Sequence, residues 1–96
     1  MDILVAYDVA TDTPAGRGRL RKIAQVCVGF GQRVQKSVSE CSVNEMQLER
    51  LRARLLKVLK KEEDSLRVYR LPQPKERFIE TYGLDHYVDF GEPLLV

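Results

Sequence analysis

Ile3-Leu4-Val5-Ala6-Tyr7 is an unbroken apolar run of strand length that stops on a carboxylate, Asp8. Continuous rather than alternating polarity predicts a central strand with both faces covered. A chain of 96 residues holds one domain and one modest core. That size leaves little room for an enclosed substrate pocket, so a site is expected at a surface or between copies.

The flanking pattern alternates helix and strand. Thr13 is a helix cap with Pro14 at the first helical position. Leu20, Ile23, Ala24 and Cys27 then recur at i, i+3, i+4, i+7, and Gly29 and Gly31 around Phe30 end that helix. Residues 33–43 read as extended with weak alternation. They either return as a short hairpin or form one long bent strand, with Ser37-Val38-Ser39 mid-strand and a bulge near Lys36 or Ser37. Asn44 opens a second helix, with Gln47 at capping-box spacing and Val43 with Leu48 as a hydrophobic staple. Leu48, Leu51, Leu55, Val58 and Leu59 form its apolar stripe, and Glu62-Glu63-Asp64 are expected to stop it. Residues 66–71 are a strand ended by Pro72 and Pro74.

This order is the split βαβ pattern of the ferredoxin-like fold, an α+β class with helices on one face of an antiparallel βαββαβ sheet. The other sheet face lacks a cover within the chain, and a second protomer is the economical solution. Residues 1–74 form the expected core and 75–96 a separate C-terminal segment. Within it, 75–85 are loop-like with room for one helical turn, and 86–90 form a short strand. The apolar end Leu94-Leu95-Val96 calls for a tie to its own sheet or to a partner's sheet edge.

Charge is unevenly spread. Lys and Arg number 16 and Asp and Glu 14, yet residues 1–70 carry a net +5 and residues 71–96 a net −3. Arg17, Arg19, Arg21 and Lys22 crowd the start of the first helix, where cations oppose the macrodipole. Phosphate binding or a solvated cluster accounts for them equally. Arg50, Arg54, Lys57 and Lys61 lie at i, i+4, i+7, i+11, as a solvated face or a track for a nucleic-acid backbone. Asp8 has two readings as well: a metal ligand, or a cap for the following turn. One carboxylate per chain is thin for a metal, but two copies of Asp8 across a twofold axis would make a pair. Tyr7 points to the opposite strand face, as core or dimer packing.

Cys27 and Cys41 form no CxxC pair, and His86 is the one histidine, so a zinc site is not expected. Free thiols in a reducing cytoplasm follow. Neither a secretory signal nor a membrane span is expected. There is no P-loop, no GxGxxG and no serine triad. His86 reads as a tail residue rather than a general base.

Ile3-Leu4-Val5-Ala6-Tyr7-Asp8-Val9, Arg19-Leu20-Arg21-Lys22 and the segment from Gln32 through Lys36-Ser37-Val38-Ser39-Glu40 to Cys41 together resemble the CRISPR-associated protein 2 family. Asp64-Ser65-Leu66-Arg67-Val68-Tyr69 resembles its last core strand. The resemblance covers residues 1 to about 71 well, while the tail matches in length and character only. It implies a cytoplasmic ferredoxin-like homodimer whose C-terminal strands cross to the partner. It implies metal-dependent endonuclease chemistry in spacer acquisition, on single-stranded RNA or double-stranded DNA, with Asp8 of both chains bracketing one Mg²⁺. Arg17, Arg19, Arg33 and Lys36 are then expected to position the nucleic-acid backbone, and Tyr7, Ser37 and Val38 to serve packing and the dimer. The family also bridges dimers of the adaptation integrase and holds spacer DNA, so a non-catalytic scaffold is the alternative. Ser39 departs from the family pattern, which commonly has an aromatic after Ser-Val. A ligand-sensing ferredoxin-like domain is a third reading, for which nothing in the sequence designs a pocket.

Overall fold

A computed structural model describes residues 1–84. Its elements are β1 (Asp2–Asp8), α1 (Pro14–Val28), β2 (Gly31–Gln35), β3 (Val38–Ser42), α2 (Glu45–Val58) and β4 (Ser65–Leu71), with a short 3-10 turn at Lys75–Arg77. The strands form one antiparallel sheet in the order β2-β3-β1-β4. This is the ferredoxin-like α+β arrangement that the sequence pattern predicts. The late strand expected at 86–90, its exchange with a partner, and the apolar end at 94–96 lie outside the described residues.

The sheet sits with β1 inside because β1 carries the longest apolar run. Ile3, Val5 and Tyr7 point under the helices, where they meet Ile23 and Cys27 of α1 and Leu48, Leu51 and Leu55 of α2. Each such side chain taken from water contributes about 1.5–3 kcal/mol. The helix starts are locally encoded. Thr13 Oγ1 accepts from Gly16 N at 3.1 Å. Asn44 and Gln47 exchange reciprocal side-chain to backbone bonds of 2.8 and 2.9 Å.

Three features qualify this picture. First, within the described residues the helices cover one face of β1 only, as the sequence pattern predicts. Ile3 and Val5 are fully buried, whereas Leu4 and Ala6 on the other face are half-buried. That face is partly crossed by the chain's own continuation: Ile79, Tyr82 and Leu84 approach Leu4, Val34 and Val38 across a gap of ≈ 360 Å³. Lys75 reaches Glu40 at 3.6 Å on the same side.

Second, Ser37 is not mid-strand. Lys36 and Ser37 make the turn between β2 and β3, and the register irregularity falls between Arg33 and Gln35. Ser39 lies fully buried opposite Val5, and its hydroxyl finds no hydrogen-bond partner among the described residues. An aromatic here would have filled core volume; the serine leaves a polar atom in it.

Third, α2 stops at Val58, well before the acidic run, because Leu59 is already extended. Arg50, Arg54 and Lys57 share an exposed helix face, but Lys61 falls beyond the helix and off that row. The Arg54 guanidinium stands over the Phe30 ring, 5.7 Å from its centroid.

Leu51 belongs to this core and is 0% exposed. Leu51→Ala should lower the free energy of unfolding by about 2–5 kcal/mol. Urea denaturation followed by far-UV circular dichroism checks this, with a lower midpoint at unchanged slope as the expected outcome.

Candidate functional site

Asp8 is the last residue of β1 and pairs with Ser65, the first of β4. Strand alternation puts its carboxylate on the same face as Leu4 and Ala6, the face the helices leave free. It is exposed and makes no hydrogen bond or ion pair with any described residue. The cap reading therefore fails: the helix that follows is capped by Thr13, and Asp8 caps nothing. A free carboxylate on a rigid strand end fits a hard divalent cation that keeps water or phosphate in its other positions. Among the described residues no three Asp, Glu, His or Cys side chains come together to hold a metal. Within one chain the described residues therefore build no three-ligand metal cluster around Asp8.

The chain just past Asp8 is held by a side chain the sequence analysis had assigned to stopping a helix. Asp64 is withdrawn from solvent, with its side chain 0% exposed. One carboxylate oxygen accepts from Ala10 N at 3.2 Å, the other from Lys60 N at 3.0 Å. Arg19 grips both, with Nε at 2.8 Å and Nη2 at 3.2 Å, and its Nη2 also meets Glu63 at 2.9 Å. The Arg19 hydrogen bonds hold the Asp64 carboxyl below its ordinary value against the opposing effect of burial. Arg19 is therefore committed to Asp64 and Glu63. The pairing turns Nε and Nη2 of one of the four expected phosphate-binding cations toward carboxylates, across 45 residues of chain that no local spacing reveals.

The other expected cations do converge. Arg17, Arg33 and Lys36, joined by Arg21, line one groove of ≈ 500 Å³ between α1 and the β2–β3 hairpin. Its floor is the apolar strip Leu20, Ala24 and Val28. Arg17 donates to Thr11 O at 3.1 Å and Arg33 to Lys36 O at 3.1 Å, so each guanidinium is steadied by backbone while further N–H groups stay free for an anion. Arg21 was visible as part of the basic cluster at the helix start. Its membership of the groove follows from its position one turn along from Arg17.

Tyr7 is core. Its hydroxyl is buried near Ser39 and Cys27, and burial pushes its pKa up, so it is no proton carrier for a surface site. Its backbone N–H donates to Ser37 O at 3.1 Å, which ties β1 to the hairpin turn. Val38 pairs with Ala6 and is half-buried on the free sheet face. Cys27 and Cys41 are free and buried, and burial pushes the Cys41 thiol up to about 12, so it is inert at neutral pH.

A family model described as CRISPR associated protein Cas2 matches residues 1–78. The chain belongs to the Cas2 family. A relative from Moorella thermoacetica named CRISPR-associated endoribonuclease Cas2 1 is 56% identical over 96 residues, covering 100% of both chains. One from Halalkalibacterium halodurans named CRISPR-associated endonuclease Cas2 is 42% identical, covering 99% of each. The crystal structure of Streptococcus pyogenes Cas2 at pH 6.5 superposes with a TM-score of 0.80 at 48% identity, covering 86% of this chain and 100% of that one. The Cas2 match takes in Asp8, the Asp64 clasp and the basic groove together.

The clasp gives stability a defined acid limb. Above the ordinary Asp range of about 3.9 the Asp64 contribution is fully present, and it is lost as pH falls from there through the lowered folded value. Asp64→Asn should cost about 1.5–3 kcal/mol at neutral pH. The gap between wild type and variant, read from urea unfolding at stepped pH, should be flat above about pH 5 and shrink below about pH 4.

Proposed function

We propose that this Cas2-family chain is an endonuclease of the CRISPR adaptation module, hydrolysing phosphodiester bonds of RNA or double-stranded DNA. In this reading Asp8 is the metal-binding and catalytic group, and one Mg²⁺ is shared by two protomers of a cytoplasmic homodimer. The observation that carries the reading is the Asp8 carboxylate itself, exposed and unpartnered among the described residues at the end of the central strand. The names of the relatives, endoribonuclease and endonuclease, support hydrolysis of nucleic acid.

The dimer is supported by the sheet face opposite the helices, which the chain's own continuation crosses only in part. Leu4, Ala6 and Val38 are half-buried there and Tyr69 is 44% exposed, all in one row system with Asp8 at its end. A second copy laid on that face buries the apolar row and carries its own Asp8 toward the first. The chemistry a Mg²⁺ ion supplies when bound is an activated water at neutral pH and neutralisation of phosphate charge. The protein's own part is to hold and to orient. Asp8 presents its oxygens from a strand paired on both sides, and Arg17, Arg21, Arg33 and Lys36 seat the backbone through charge-assisted hydrogen bonds. No helix among the described residues is long and apolar enough to cross a membrane.

The second reading is a non-catalytic dimeric scaffold that bridges dimers of the adaptation integrase and binds spacer DNA. The groove favours it, because four cations over an apolar floor bind a backbone without any metal.

Purified protein on labelled single-stranded RNA and duplex DNA, with Mg²⁺ or chelator and beside Asp8→Asn, separates the two. The nuclease reading expects Asp8→Asn to lose about 100-fold or more in cleavage, since Lewis-acid stabilisation is worth several kcal/mol and each 1.36 kcal/mol is tenfold. Nucleic-acid affinity and dimer mass should stay at wild-type values. Cleavage by the variant at the wild-type rate sinks the Asp8 assignment. Binding without turnover in any condition favours the scaffold. Under either reading, joint replacement of Arg17, Arg33 and Lys36 by Gln should flatten the slope of log affinity against log salt by about 3, from about 0.9 per lost phosphate contact.

A further inference from the structure

We infer that Asp64 is a positioning residue for Asp8, with Arg19 as the counter-ion that lets it act; the inference rests on the reading of Asp8 as the metal-binding group. A carboxylate taken wholly from water is unstable unless each oxygen is satisfied. Asp64 meets that condition with four hydrogen bonds, from Arg19 Nε and Nη2, Lys60 N and Ala10 N.

Arg19 and Lys60 join α1 to the turn before β4. The bond to Ala10 does something different. Ala10 is two residues past Asp8, in a connection with no regular structure between β1 and α1. Left free, that connection would let the strand end fray and carry the Asp8 carboxylate with it. Three further features close the same frame. Asp64 directly precedes Ser65, the register partner of Asp8 across the β1–β4 ladder. Val9 is buried at 8% exposure between the two tethers. Ala10 O lies so close over Gly16 of α1 that no Cβ fits there. Asp8 is thereby held from behind by the Tyr7–Ser37 bond, from the side by Ser65 and from ahead by the Ala10–Asp64 bond. The carboxylate stays free of partners while the backbone that bears it is held in three directions.

The consequence is geometric. A group that must meet its symmetry mate across a shared ion has little tolerance, and a displacement of about 1 Å can cost about 100-fold in rate. Loss of a residue that orients a ligand from behind typically costs about 10–100-fold in metal affinity or activity.

The test uses the full chain carrying Asp64→Asn, Arg19→Gln or, as a control for destabilisation alone, Leu51→Ala. All are assayed at a temperature where circular dichroism shows each folded. The inference expects Asp64→Asn to lower kcat and raise the Mg²⁺ concentration for half-maximal cleavage, each about 10-fold, with KM for nucleic acid within about twofold. Arg19→Gln should follow in the same direction, and Leu51→Ala should keep wild-type kcat. Unchanged kcat and Mg²⁺ dependence in Asp64→Asn overturns the inference, as does an equal loss in Leu51→Ala. Backbone ¹⁵N shifts give a readout free of turnover: Asp64→Asn should move the amides of residues 8–11. Perturbation confined to residues 60–65 overturns the inference. A wild-type rate in Asp8→Asn, by contrast, removes the Asp8 reading while the shifts still report whether Asp64 sets that strand end.

Discussion

Burial of the Ile3, Val5 and Tyr7 row beneath two helices is the constraint from which the remainder of the molecule follows. The described residues hold two α-helices, and both are used on one face of the sheet. That face then contains nearly all the fully buried apolar side chains, and the opposite face is left with Leu4, Ala6 and Val38 only half-covered. Because strand side chains alternate, the same choice puts Asp8 on the open face. Among the described residues, the unpartnered Asp8 carboxylate and the half-covered apolar face therefore follow from a single packing decision.

Charge is organised on the same plan. Most basic residues are exposed, and three of the four expected to meet nucleic acid line a single groove together with Arg21. Arg19 differs because Asp64 is buried beside it. Two oppositely charged groups brought together out of water hold each other far more firmly than either would hold a mobile phosphate at the surface. The clasp engages Arg19 with Asp64 and Glu63 and fixes the connection behind Asp8. Two arginines two residues apart on the same helix thus take different settings, Arg17 facing the groove and Arg19 facing the clasp.

What was legible in the sequence was what depends on neighbours within a turn or two. The Thr13 cap, the Asn44–Gln47 capping box and the apolar spacing of both helices are local hydrogen bonds and local periodicities, and the structure bears them out. Less legible were points where distant segments compete for one residue. Asp64 in a run of three acids reads as a helix terminator, but α2 has already ended at Val58, and the aspartate answers to Arg19 and Ala10 instead. Lys61 reads as the fourth member of a helical stripe, and it leaves the row because the backbone extends at Leu59. The unbroken apolar run of β1 calls for cover on both sides, but it does not say which segment supplies it: the helices take the Ile3, Val5 and Tyr7 side, and the chain past Lys75 crosses part of the other.

The sequence by itself determined the order of elements, the helix caps, the central place of β1 and the presence of a carboxylate at its end. Those features rest on bonds and periodicities spanning a few residues, so they are written in adjacent letters. Only the tertiary structure decided which face Asp8 shares, which arginine it gains as a support through Asp64, and which cations meet in one groove. Those depend on contacts between segments tens of residues apart, whose partners are chosen by packing rather than by spacing.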